Sequence, residues 1–346
     1  MLCLLTGSLR AADPAAEIAS FSEFKKIDLK KLTGGEILAE RGAVMDFPRG
    51  ISFQTCFVVD RPAKATVELL PFWDATPHVA KLGVYQNVCF TQVDEKTFER
   101  LALDPEKRSM KRLIERTRGA TPERADIQLN FNEFALLQSC LNAAGADAPK
   151  DKDQSVEAFQ HFWAKLLKSR WEQFHAGGFE ALPTYDASRS KFSVSSEVQS
   201  LLACEQNIVK RFEGLLTETP FQSKTSPPPK PTTYYWALSE VNKTANPSLG
   251  AVYVKAFPDH WKIVDVTFYS SGDYFTSMVF YELWPVTVEN KEYTLIWRMD
   301  MVSAPSLAFT KGVDMMVAGG IMLQEVKKVV RAFQQDAAKP DPAKQR

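Results

Sequence analysis

The segment YFTSMVFYELW, residues 274–284, is apolar at its even positions and again at its odd ones. Side chains of a β-strand point alternately to the two faces of a sheet. Tyr274, Thr276, Met278, Phe280, Glu282 and Trp284 therefore share one face, and Phe275, Ser277, Val279, Tyr281 and Leu283 share the other. The segments 263–269 and 293–301 are likewise apolar on both sides. An antiparallel sheet with one wet face would alternate apolar and polar residues more cleanly. Both faces of this sheet need cover, and the chain offers two sources of it.

One source is a final helix over 312–335, where Met316, Leu323, Val326, Val330 and Phe333 recur at helical spacing. The other is the stretch 96–222, in which helical periodicity dominates. Residues 155–178 carry an apolar stripe of Val156, Phe159, Phe162, Leu166, Trp171 and Phe174, and residues 195–216 form a second amphipathic helix capped by Ser195. A proline-rich connector, 223–232, closes this region. From Thr233 the period returns to two, with strands at 233–240, 250–257, 261–270, 274–284 and 292–302 joined by Gly-, Asn- or Pro-containing turns. Upstream, the pattern predicts a helix over 21–32, strands at 36–47, 51–59 and 82–93, and a helix over 61–74 with Pro62 in its first turn. The organisation expected is one composite unit: a discontinuous α+β domain from 21–95 and 233–335, a helical insertion over 96–222, and a tail at 336–346.

Lys plus Arg and Asp plus Glu balance at 42 each. That balance argues against a nucleic-acid partner, which needs a basic excess to neutralise phosphates. No apolar run reaches the ~18 residues of a transmembrane segment. The N-terminus, MLCLLTGSLRAADPAAE, combines a brief apolar stretch with small residues before Ala12-Asp13-Pro14. The segment 1–20 therefore looks like the end of a secretory leader, predicting a periplasmic or secreted protein, although it lacks a basic start. The alternative is a disordered terminus of a cytoplasmic protein. Without Cys3, the cysteines Cys56, Cys89, Cys140 and Cys204 are spaced too widely for a zinc or redox motif. Cys140–Cys204 is the pair to test first for a disulfide.

The order strand, turn, strand, helix starting at a proline, then a meander and one long C-terminal helix resembles the helix-grip, or START/Bet v 1-like, superfamily. The matching segments are 51–74 and 233–335. The stretches RWEQFHAGGFEALPTYD (170–186), YYW (234–236), YSSGDYF (269–275) and WRMDMV (297–302) also look like those of a group of uncharacterised bacterial secreted proteins. Those relatives tend to carry a His where this chain has Gly272-Asp273, which weakens any carry-over of acid–base or metal chemistry. The resemblance implies an apolar ligand, lipid included, held between sheet and long helix, and in some members cyclisation or hydrolysis there.

No phosphate loop, dinucleotide fingerprint, zinc helix or nucleophile elbow is present. No metal or cofactor is expected. His161 and His175 stand fourteen residues apart on one predicted helix, about 21 Å, too far to share an ion. Arg298 and Asp300 lie two apart on one face of an apolar strand, where charges are seldom buried unless paired. They make either a structural ion pair or a polar anchor for a ligand. Gly319-Gly320 in the last helix suits close packing on the sheet or room for a ligand. The expected fold is α+β, a curved antiparallel sheet gripping a long C-terminal helix, with a large all-helical insertion. The expected function is binding of an apolar or amphipathic small molecule through Arg298, Asp300, Tyr269, Ser271, Tyr274, Trp236, Gly319 and Gly320. The alternatives are a hydrolase- or cyclase-like enzyme using the same cavity, and a structural module of the cell envelope.

Overall fold

Eight antiparallel strands form one curved open sheet in the order β1-β2-β8-β7-β6-β5-β4-β3. The strands are β1 (Leu38–Arg41), β2 (Gly50–Val59), β3 (Leu82–Val88), β4 (Thr233–Val241), β5 (Thr244–Ala256), β6 (Trp261–Ser270), β7 (Thr276–Val288) and β8 (Lys291–Ser303). The computed structural model describes residues 13–88, 93–143, 152–186, 191–221, 228–310 and 312–339. Strands β3 to β8 follow each other in space as a meander, and β2 pairs with the last strand, β8. Two of the hairpins turn on two residues of positive φ, Asn242-Lys243 and Glu289-Asn290. That backbone twist matches the twist of the flanking strands.

One face of the sheet is sealed. The helices α4 (Arg108–Arg118), α5 (Phe131–Ala143), α6 (Lys152–Gly177), α7 (Val194–Cys204) and α8 (Gln206–Leu216) contribute to a large core shared with the even-numbered positions of β4, β6 and β7 and the odd ones of β8. Val264, Val266, Met278, Phe280, Trp297, Met299 and Met301 are all fully buried there. Glu282 points into the same side. Its carboxylate takes both Nε and Nη2 of Arg211 at 2.5 and 2.9 Å, tying α8 to β7. Burial raises the Glu282 pKa, and the Arg211 guanidinium opposes that rise.

On the other face lies α9 (Gly312–Ala337), with α3 (Ala63–Leu69) beside it. Only the C-terminal half of α9 is well anchored. Val330, Phe333 and Ala337 are buried against Phe57, Tyr281, Leu283 and Ile296. Asp336 accepts hydrogen bonds from Trp73 Nε1 at 2.9 Å and pairs with His78 at 2.7 Å, and Gln334 donates to the Val58 carbonyl. Towards its N-terminus, Met316, Val317 and Ile321 are 68, 56 and 60% exposed. Among the described residues, no helix is long and apolar enough to cross a membrane.

Several boundaries differ from the sequence pattern. Residues 13–21 are ordered: Asp13 caps α1 (Pro14–Phe21), whose Ile18 is fully buried. The helix expected over 21–32 is interrupted after Phe21 and resumes as α2 (Leu29–Thr33), because Asp28 supplies a new N-cap. The strand expected over 36–47 is only β1. The helix expected over 195–216 starts one residue earlier, capped by Ser193 rather than Ser195, and breaks at Glu205 into α7 and α8. Cys56, Cys140 and Cys204 are free thiols, so Cys140 and Cys204 are not joined. Cys89, residues 1–12 of the leader-like segment, the connector's 223–227 and the tail's 340–346 lie outside the described residues.

Phe268 stacks on Phe174 of α6 with ring centroids 3.9 Å apart and is fully buried. Phe268→Ala should cost about 3–5 kcal/mol, the usual range for emptying a buried aromatic site, read as a lowered urea midpoint.

Candidate functional site

The two faces of the central strands are buried unequally. Opposite the sealed face, Asp265, Ser277, Val279, Arg298 and Val302 stay partly exposed, although β6, β7 and β8 are interior strands. The Arg298 and Asp300 side chains keep 13 and 11% of their surface. The inner side of α9 above this area carries Met322, Leu323 and Val326, themselves only partly buried. With α9 anchored at its C-terminal end, the partly exposed residues beside its N-terminal half outline a candidate groove on this face.

The floor of the groove is polar. Arg298 donates from Nε and Nη2 to the two oxygens of Asp300 at 2.8 and 2.5 Å. The pairing follows from their spacing, because residues two apart on a strand share a face. Burial opposes the guanidinium charge, yet Asp300 outweighs it and holds the Arg298 pKa up. The guanidinium also lies over the Tyr281 ring, 5.3 Å from its centroid. Asp265 stands two strands from Asp300 in the same cross-strand row, through Val279. Its Oδ1 accepts the Tyr235 hydroxyl at 2.8 Å. Burial pushes the Asp265 carboxyl up to about 6; the Tyr235 hydrogen bond and Arg298 hold it from rising further.

Tyr235 reaches Asp265 only because of a glycine. It pairs with Gly250 on β5 and its ring lies across that residue. A Cβ at Gly250 would come within 2.0 Å of the ring. Thr267 and Ser277, one row further along, share a hydrogen bond of 2.9 Å. Thr55, the neighbour of Arg298 on β2, keeps a buried hydroxyl with no hydrogen-bond partner among the described residues.

The residues singled out from sequence are not all brought together. Arg298, Asp300 and Tyr274 lie on the groove side, Tyr274 packing near Ile51 and Phe53. Counting by two puts Tyr274 with Met278, but β7 begins only at Thr276, after Asp273 in a left-handed conformation (φ 65°), so the count does not reach it. Trp236 lies on the sealed face against Phe98. Tyr269 is also on the sealed face, near Tyr185 and under Arg170. The register shift at Leu249/Gly250 makes Phe268 the extra residue of β6 and turns Tyr269 away from the face of Asp265. The Ser271 hydroxyl, like that of Ser270, is engaged by Asn246 Oδ1. Gly319 sits beside Arg41, where a Cβ would make ordinary contact at 3.6 Å, and Gly320 faces open space. Neither glycine is required by close packing on the sheet.

Asp265, Tyr235, Gly250 and Tyr281 were not singled out. Asp265 carries the signal that marked Arg298, a charge inside an apolar strand. The crossing of Tyr235 over Gly250 has no counterpart in local sequence. A separate cavity of about 570 Å3 opens at the β6–β7 turn, lined by Arg116, Gln128, Phe192, Asp273 and Phe275. Arg116 pairs with Asp273 there at 3.0 Å, and Asn242 donates to the same carboxylate. Among the described residues no cluster of three or more His, Cys, Asp or Glu side chains is placed to hold a metal ion.

Because its folded-state pKa is raised, Asp265 favours the fold below the ordinary carboxylate pKa of ~4 and loses that contribution as pH rises through about 6. Asp265→Asn should therefore be more stable than wild type at pH 8, by on the order of 1–3 kcal/mol, with the difference vanishing near pH 4. Urea unfolding at both pH values reads this. Gly250→Ala should destabilise the fold by about 1–3 kcal/mol through overpacking, measurable in the same way. No family model and no curated protein matches this chain.

Proposed function

We propose that this protein binds an apolar or amphipathic small molecule, a lipid included, in the groove between α9 and the centre of the sheet, in the manner of helix-grip proteins. The observation that carries this reading is the unequal burial of the two sheet faces. Residues of the interior strands are fully buried on one face, while on the other Asp265, Ser277, Val279, Arg298 and Val302 keep partial exposure among buried neighbours such as Ile263, Leu283 and Ile296. An apolar surface with a few convergent polar groups is the usual make-up of a small-molecule site. Here the apolar lining is Val279, Val302, Met322 and Leu323, and the polar groups are Arg298, Asp300, Asp265 and the Tyr281 hydroxyl. The resemblance of the element order to helix-grip proteins supports the same reading, and an exported location belongs to it through the leader-like N-terminus. The enzyme alternative required Arg298, Asp300 and the hydroxyls of 269–274 to converge. Tyr269 and Ser271 are engaged elsewhere, so a non-catalytic binding role fits the geometry better.

The test is a neutral solvatochromic dye, Nile red, titrated into the full-length protein alongside native mass spectrometry of what co-purifies. Wild type should take up the dye with a blue-shifted emission. Val279→Trp, which places an indole in the groove, should keep the thermal midpoint within a few degrees and lose the dye. Were the space already filled by protein, the same variant would be overpacked and strongly destabilised, and the wild type would not take up the dye.

A further inference from the structure

The charges on the groove floor bear on the kind of head group it can receive, an inference that rests on the binding reading above. Arg298 is the cation at the centre of the floor, and it is already held by Asp300 through a two-point contact. That pair is neutral as a unit and offers an incoming anion little. Asp265 is different. Among the described residues its one hydrogen bond comes from the Tyr235 hydroxyl to Oδ1. Oδ2 is not among the sealed atoms lacking a partner, so it keeps some solvent contact. Tyr281 is buried, but among the described residues its hydroxyl makes no hydrogen bond and is not among the sealed unpartnered atoms.

We propose that the groove selects amphipathic ligands with a cationic amine head group over those ending in a carboxylate or phosphate, with Asp265 as the counter-ion. The floor carries three charged side chains, Arg298, Asp300 and Asp265, and their sum is one negative charge when all are ionised. An anionic head group would be repelled by the unpaired carboxylate and would have to break a bidentate ion pair to gain a partner. An ammonium would donate to Asp265 Oδ2 while leaving the Arg298–Asp300 pair and the Tyr235 hydrogen bond to Oδ1 intact. The covering side of α9 presents Met322, Leu323 and Val326 and so adds no charge at the inner wall. Arg41 of β1 lies against Gly319. It is four strand spacings from Asp265, about 19 Å, beyond the Debye length of physiological salt. The raised pKa of Asp265 is consistent with a carboxylate that lacks a cation of its own.

The experiment displaces Nile red from the full-length protein at pH 8 with three ligands of equal chain length: dodecylamine, dodecanol and dodecanoate. In wild type the amine should displace the dye at a concentration at least ~10-fold lower than the carboxylate, a difference of about 1.4 kcal/mol, with the alcohol between them. Asp265→Asn, checked for folding by circular dichroism, should erase the advantage of the amine over the alcohol. Dodecanoate displacing as well as or better than dodecylamine would overturn the head-group assignment while leaving the groove standing. So would an amine advantage that survives Asp265→Asn. The wild-type ranking decides the matter even if that variant fails to fold. Failure of wild type to take up the dye at all would overturn the groove, and the head-group assignment with it.

Discussion

A sheet whose central strands are apolar on both faces cannot stand with either face in water. In this chain the two covers are of different quality. Helices α4 to α8 and the first two short helices interlock with one face, down to the ion pair of Arg211 with Glu282 across α8 and β7. The other face has one long helix and α3. That helix is fastened at its C-terminal end by Asp336, Gln334 and the packing of Phe333. The part of the second face around Asp265, Val279 and Val302 is covered less completely by that single anchored helix.

Polar side chains accumulate where cover is incomplete, for a physical reason. A charge fully buried without a partner is costly, while one that retains access to solvent or to a ligand is tolerated. Arg298 and Asp300 solve the problem locally, as a pair two residues apart on β8. Asp265 solves it only in part, through Tyr235, and its raised pKa reflects what is left unsolved. The charges of the sealed face contrast with this. Glu282 is shared among Arg211, Lys262 and His260, and Arg170 is shared between Glu133 and Gln173, so these are structural clusters with little capacity for a ligand.

Much of the architecture was legible from residue periodicity. Four of the five strands from Thr233 onward and the last helix fall within a few residues of where alternation and helical spacing put them, because long, strongly periodic segments leave little choice, while β5 begins at Thr244, well before the expected 250. The N-terminal part was read less well. The interruption of α1 after Phe21 and the break at Glu205 depend on caps and on packing partners far along the chain, not on local periodicity. The site was legible in part. Arg298 and Asp300 stand out because a charge inside an apolar strand is unusual at any position. Trp236 and Tyr269 did not belong with them, and for Tyr269 the cause is a single extra residue in β6 that reverses the direction of its side chain.

Sequence alone determined that this chain forms an antiparallel meander that needs helices on both faces, since side-chain alternation and apolar content on each face are local properties. It also determined that Arg298 and Asp300 share a face. The tertiary structure decided which face is sealed and which is left partly open, because that depends on where each helix is anchored. It also decided that Asp265, not Arg298, is the charge without a matching partner. Pairing depends on which side chains meet across strands, and that meeting was made possible by the absence of a side chain at Gly250.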